Sequence, residues 1–446
     1  MSFKNYLKQF FKLSIPAILG QIGAVLMGIT DMVMLGNVSK TELAAVGVAN
    51  QIYFMFLVFG LGIMAALAPL VAATKGANKN TDCGELLRAG IEISFIVSIV
   101  LSMILYVFCE NFHIFNQPYE IEVIAKRYLK MLTISTIPYL LFIAIKQYSD
   151  GLHLTKSSMY ITLAGIIVNG LLNYVFIYGL FSLPPSGALG AGIATLFTRI
   201  LMALSFVVYV FKNDVYKKFL PNLISTFNTM PVIMKVLKTG IPSGFQMLFE
   251  VTTFSVITIM VGWIGTEYLA AHQILIGLVA IVYTISAGFS IAGSINVATA
   301  LGKKDKLAII RWSKFTIIII SISTAVLTVS LAWFREPIVS LFIHEHEVIC
   351  IVFETFKIMC LLLMIDVFQT TSIGLLRSLE DVKSSSYVTL LAYFLLGTLL
   401  SYYLTFIYDM KLYGIWIGIS IGGLLSNVIL WIRYFYLLSS LKNKIL

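Results

Sequence analysis

The chain has 446 residues, of which 59% are apolar and only 12% charged, with a mean hydropathy of +0.94, and this balance excludes a soluble globular domain. The formal net charge of +10 comes from basic residues spread over short segments between long apolar runs, so it sets membrane orientation and does not mark a nucleic-acid partner. One continuous domain embedded in membrane lipid is expected.

Apolar stretches of about 18 to 27 residues suffice to cross a hydrocarbon core at about 1.5 Å per residue; they centre on roughly 13–35, 46–73, 90–109, 129–146, 159–181 and 188–211. Six more follow, at roughly 238–263, 270–296, 312–334, 354–376, 386–407 and 413–438. The first run carries Asp31 near its far end, lacks a small-residue cleavage site and is too long for a signal-peptide core, so it is expected to stay as the first helix. With the N-terminus inside, Lys and Arg favour the inner segments over the outer ones by about three to one, which predicts a multi-pass inner-membrane protein with both termini cytoplasmic. That count leaves Arg199 alone inside a span, where it either neutralises an acid or snorkels. Residues 1–211 read as an N-terminal six-helix lobe and 238–446 as a C-terminal one. Between them 212–237, with Lys217-Lys218, Pro221 and Asn222, reads as a cytoplasmic linker. Cys83, Cys109, Cys350 and Cys360 have no metal-ligand or CxxC spacing and are assigned no chemistry.

The chain repeats itself. A shift of 226 positions aligns Ile15-Pro16 with Ile241-Pro242, Met34 and Gly36 with Met260 and Gly262, Gly62 with Gly288 and Gly76 with Gly302. After one residue of drift, Lys156-Ser157-Ser158 meets Lys383-Ser384-Ser385. Six spans per copy give both copies the same orientation, so the fold class predicted is an all-α membrane protein of twelve transmembrane helices in two parallel six-helix repeats. Repeats of this kind, meeting at a central cavity, suit a transporter that works by alternating access.

Ionisable groups at membrane depth cost several kcal/mol, which makes Asp31, Glu250 and Asp366 site candidates. None has a charge three or four positions away on its own helix, so each must be partnered from another helix, protonated, or exposed to a watery cavity. The repeat aligns them with Ile257, Ala24 and Tyr139, an asymmetry expected of two cavities with different tasks. Asn169 and Asn173 lie one turn apart on one face and offer two amide oxygens, for ligation or for helix–helix bonding. Gln246 precedes Glu250 by one turn, and Gln369 and Thr370 follow Asp366, forming polar stripes that read as cavity-lining faces. His272 is expected at the outer membrane interface. The chain has no GxSxG elbow, HExxH helix, GxxxxGK[ST] loop or Cys/His constellation, so it is not read as an enzyme, and an ion gradient is the expected energy source.

Further motifs are Thr30-Asp31 with Met34, Gly36 and Leu43-Ala44-Ala45; Asp150-Gly151 with Thr155-Lys156; Gly190-Ala191-Gly192-Ile193-Ala194-Thr195; Phe249-Glu250-Val251; Ala270-Ala271-His272-Gln273; and Gly374-Leu375-Leu376-Arg377 with Asp381. Together, over about residues 10–440, they resemble the multidrug and toxic compound extrusion family, nearest its NorM-type branch. The resemblance implies a V-shaped exporter of two six-helix lobes that swaps small cationic or amphipathic compounds, drugs included, for incoming Na+ or H+. It implies a first-lobe coupling site at Asp31, Asn169, Asn173 and Thr195, able to take Na+, and a second-lobe site at Glu250 and Asp366 with Gln246 and Gln369 beside them. Some relatives carry an aspartate at the Asn173 position; here one formal negative charge remains. No cofactor and no nucleic acid are expected, and the chain is expected to act as a monomer. A flippase for lipid-linked sugars of the same superfamily is the alternative, for which a cavity richer in Arg and Lys would be expected. An intramembrane enzyme would need a nucleophile and base, and a passive channel would not need three asymmetric acids.

Overall fold

The computed structural model describes residues 3–180, 184–220 and 230–444. Twelve of its helices are long and apolar enough to cross a membrane. They are α1 (Lys4–Gly36), α2 (Lys40–Gly76), α3 (Asn80–Glu110), α4 (Tyr119–Gly151), α5 (Thr155–Tyr178) and α6 (Gly187–Lys212), then α7 (Met230–Gly262), α8 (Thr266–Gly302), α9 (Lys306–Trp333), α10 (His346–Ser378), α11 (Val382–Ile407) and α12 (Lys411–Ser440). No strand occurs among the described residues. The chain is therefore an all-α, multi-pass membrane protein, as only helices or closed barrels satisfy their own backbone in lipid.

Several helices run past the apolar stretches that announce them, because their polar ends find local partners. Ser39 caps α2 by accepting from Glu42 N at 3.0 Å, and Asp305 caps α9 by accepting from Ala308 N at 2.9 Å. Glu110 at the end of α3 pairs with Lys130 and Lys126 of α4 at 2.7 and 3.4 Å. α2 is interrupted at Ala66, because Pro69 has no N–H to give to the carbonyl of Ala65. In the linker, Asn213 caps a short helix at Asp214–Lys217. Residues 221–229 of that segment, with Pro221 and Asn222, lie outside the described residues.

The duplication is visible atom by atom in the turns. Asn78 and Lys304, 226 positions apart, are both left-handed at φ 58° and 57°, and His153 and Glu380, 227 apart, repeat this at 61° and 63°. The closing hydrogen bonds match as well: Lys79 N to Thr74 O at 3.2 Å and Asp305 N to Ala300 O at 3.0 Å, then Leu154 N to Ser149 O at 2.9 Å and Asp381 N to Leu376 O at 3.0 Å. The one-residue drift thus falls between these two turns, and between their counterparts in the second copy.

The chain packs into two compact units, one of Leu19–Gly244 and the other of Met1–Ile18 with Phe245–Leu446. Both divisions fall two residues after a proline inside a helix, Pro16 in α1 and Pro242 in α7. In the first unit Gly62 of α2 lies against Gly244, where a Cβ would come within 2.6 Å of the Gly244 Cα. In the second unit the repeat-related Gly288 lies against Ile18, where a Cβ would stand 3.1 Å from both its N and its Cα. The start of α1 is further held in the second unit by rings, with Tyr6 on Trp312 at 4.5 Å and Phe10 on Phe289 at 5.9 Å, and by Gln9 donating to Asn296 at 3.0 Å.

Arg199 is not alone among the helices. Lys146 and Arg377, counted from sequence with the inner segments, lie within α4 and α10, because those helices continue beyond their apolar runs. Lys146 is buried and pairs with Asp150 one turn on at 2.9 Å, while Ser158 of α5 donates to the other Asp150 oxygen at 2.8 Å. Asp150→Asn should lower stability by about 3 kcal/mol, since it leaves a buried ammonium without its counter-charge, whereas the double change K146M/D150L should recover most of the loss. Melting temperatures in detergent test this. A double variant no more stable than the single one would show that the pair does not matter as a pair.

Candidate functional site

In the first unit, the four residues expected at one site converge from three helices. Asp31 on α1 accepts from Asn173 Nδ2 of α5 at 2.6 Å through one carboxylate oxygen and from Thr195 Oγ1 of α6 at 3.1 Å through the other. Asn173 also donates to Asn169 Oδ1 at 3.2 Å, across the single turn that puts the two amides on one face. All four side chains are buried. Two ties position them: Tyr178 at the end of α5 donates to the carbonyl of Met34 at 3.0 Å, and Glu42 of α2 accepts from Ala188 N at 2.6 Å, holding the first turn of α6. Asn173 Oδ1 and Asn169 Nδ2 are buried without a partner. A carboxylate, two amides and a hydroxyl form an oxygen-rich set that a hard cation or a proton could join.

Arg199 neither neutralises an acid directly nor snorkels. It forms no ion pair with Asp31 among the described residues. Its Nη1 instead donates to the Tyr53 hydroxyl at 2.6 Å and to Ser135 Oγ at 2.7 Å, and its guanidinium lies over the Tyr139 ring at 4.3 Å and the Tyr53 ring at 5.2 Å. Tyrosine partners of this kind leave no mark in the sequence, because the 22 tyrosines of the chain occur on polar and apolar faces alike.

In the second unit the acids of α7 and α10 each have polar partners. Gln246 donates to Glu250 at 2.9 Å, and Arg377 donates to the Gln246 carbonyl oxygen at 3.2 Å. Tyr393 of α11 donates to Asp366 at 3.3 Å. Tyr393 lies in a π-helical stretch, Thr389–Leu396, whose wider turn changes the face it presents, so α-helical periodicity would not find it. Asp366 and Arg377 lie eleven residues apart on nearly one face of α10, so the polar stripe runs about 16 Å along the helix. Gln369 is buried, but its Oε1 has no partner and it makes no side-chain hydrogen bond to either acid.

His272 is buried within the protein, where it packs edge-on against Trp416 at 5.7 Å and its Nε2 lies 3.3 Å from Thr258 Oγ1. Among the described residues no three His, Cys, Asp or Glu side chains group as metal ligands. Cys83 and Cys109 are buried thiols and Cys350 is exposed.

Comparison with known proteins follows the same pattern. The MatE family model matches the chain twice, over residues 16–175 and 242–403, and the two starts are 226 positions apart, the offset of the internal repeat. The multidrug resistance protein NorM of Photobacterium profundum is 30% identical over 445 residues, covering 97% of this chain and 96% of its own. The probable multidrug resistance protein NorM of Photorhabdus laumondii is 29% identical over 439 residues, with 96% of each covered. The crystal structure of the eukaryotic MATE transporter AtDTX14 shares the fold at a TM-score of 0.89 and 19% identity, over 100% of both chains. With both halves matched by the family model and nearly its whole length matched by these relatives, the chain belongs to the MatE family of multidrug and toxic compound extrusion proteins, which are membrane transporters and not enzymes.

Proposed function

We propose that this protein is a cation-coupled antiporter of the inner membrane that exports small organic compounds, cationic or amphipathic and including drugs, by alternating access in exchange for Na+ or H+. The observation that carries this reading is the Asp31 site: a buried carboxylate, held only by neutral donors, with an unpartnered amide oxygen of Asn173 beside it. Such a group has two states available. With a proton or Na+ bound, its charge is offset and its hydrogen bonds rearrange; without one, it needs all its donors, and the surrounding helices feel the difference. Hard cations prefer oxygen ligands, and Asp31, Asn169, Asn173 and Thr195 offer only oxygens and amide nitrogens. The names of the relatives, multidrug resistance proteins, support small-molecule export.

In this reading Glu250 and Asp366, with Gln246 and Gln369 on the same helices, serve the second lobe as the site for a cation or a cationic substrate. Lobes 1–211 and 238–446 are joined by 212–237 on the cytoplasmic side, both termini are cytoplasmic, and the protein acts as a monomer among lipids. Na+ or H+ is the coupling ion and no cofactor takes part.

Asp31→Asn should abolish or uncouple drug efflux from loaded vesicles under imposed sodium and proton gradients alike, while the protein reaches the membrane in normal amount. Wild-type coupling in that variant would leave Asp31 a merely structural acid. Glu250→Gln and Asp366→Asn should each slow efflux of cationic dyes, by about tenfold if the lost charge contributes about 1.4 kcal/mol to binding. Unchanged transport in the double variant would remove the second-lobe site. Orientation is read at exposed Cys350, on the outer side in this reading, since Cys83 is buried. An impermeant thiol reagent should label Cys350 in intact cells, and labelling only after lysis would reverse the topology.

A further inference from the structure

Apart from its acid site, the second unit has a cleft of about 660 Å³, lined by the starts of α8, α10 and α12 and by the turn between α11 and α12. His346 and Cys350 stand one turn apart on α10, and the imidazole Nδ1 lies 3.6 Å from the thiol Sγ. Metal–nitrogen and metal–sulfur bonds of roughly 2.1 and 2.3 Å that meet at roughly 110° place two donors at that separation. A donor pair four residues apart on one face is also the spacing with which a helix chelates a metal ion. Both side chains line the cleft and Cys350 is exposed, so an ion can reach them.

The turn supplies a third soft donor, Met410, on the same cleft. Its backbone is held on both sides: its N donates to Leu404 O at 3.1 Å and its O accepts from Gly414 N at 3.1 Å. Its neighbours Asp409 and Lys411 are both left-handed, at φ 53° and 50°. A left-handed lysine is uncommon and marks a turn that the surrounding contacts keep in place. Glu347, Glu354 and Asp409 also line the cleft, and Lys411, the one lysine or arginine among its lining residues, lies over the Tyr268 ring at 5.6 Å. The excess of carboxylates draws cations in, whereas the thiol, thioether and imidazole choose among them by softness.

We infer that His346, Cys350 and Met410 form a binding site for Cu+ that bridges the start of α10 and the turn before α12. The ion takes the place of the thiol proton, which leaves to solvent, so that Cys350 binds as a thiolate beside the His346 nitrogen and the Met410 sulfur. One thiolate offsets the single charge of the ion. The site lies apart from Asp31, Glu250 and Asp366 in role and does not depend on the efflux reading.

In the test, Cu+ kept reduced by ascorbate is titrated into the purified full-length protein against bicinchoninate, whose colour reports copper that the protein does not hold. The wild type should hold one more ion than Cys350→Ser, which shows the background from Cys83, Cys109 and Cys360. His346→Gln and Met410→Leu should each weaken binding of that ion by about tenfold or more, since each removes one of its ligands. X-ray absorption at the copper edge needs no variant and should find two sulfur neighbours and one nitrogen. Equal binding by wild type and Cys350→Ser overturns the inference. So does an ion lost in Cys350→Ser but held unchanged in the other two variants, which is a simple thiol adduct, or a single sulfur neighbour in the absorption spectrum. Displacement of Cu+ by an equal concentration of Zn2+ overturns the choice of ion.

Discussion

A carboxylate among apolar helices cannot be left to water, so it must collect donors from elsewhere in the chain, and the rest of this structure is arranged around that requirement. Asp31 takes its donors from α5 and α6, which fixes three helices of one unit at a single point. Asp366 does the same across α10 and α11 through Tyr393, and Glu250 is tied through Gln246 to Arg377 of α10. Each acid is thus both a helix tie and a group whose charge can change, and the same donors that make its burial tolerable would register the arrival of a proton or metal ion. Most of these donors are neutral. Where a full ion pair is buried, between Lys146 and Asp150, both members lie near one helix end, where it serves packing.

Duplication and divergence are divided cleanly in this chain. What the two halves keep in common is backbone geometry: the left-handed turn residues at Asn78 and Lys304, the turn hydrogen bonds around them, the helix-interior prolines at Pro16 and Pro242, and the close approach at Gly62 and Gly288. What they do not keep is the charge buried among the helices. Tyr139 occupies the position that is Asp366 in the second copy; the tyrosine covers Arg199, whereas the acid meets Tyr393. Backbone turns and close approaches are set by sterics that both copies must obey, while a buried charge can be lost from one copy once its partners change.

Tyrosines carry much of the electrostatic arrangement. Tyr53 and Tyr139 line Arg199, and Tyr393 meets Asp366. A phenol brings an apolar ring that packs in the helix bundle and a hydroxyl that acts as donor or acceptor, so it can satisfy a charge without adding another. Helices rich in such residues can hold acids and a guanidinium within one unit without collapsing them into salt bridges.

Sequence alone determined the membrane class, the twelve spans and the parallel duplication, since each rests on local properties: apolar run length, loop charge and residue identity at a fixed offset. It also singled out Asp31, Asn169, Asn173, Glu250 and Asp366, because a polar group at membrane depth is conspicuous wherever its partners lie. The tertiary structure decided what those groups touch. That Arg199 is held by Tyr53 and Ser135, that Arg377 reaches back to Gln246 from inside α10, and that His272 is buried against Trp416 all depend on contacts between residues far apart in the chain. The split of α1 and α7 between packing units was equally hidden, because a proline marks where a helix can divide but not which neighbours each part will choose. Periodicity reports which face of a helix is polar; only the packing of other helices against that face says with what it is satisfied.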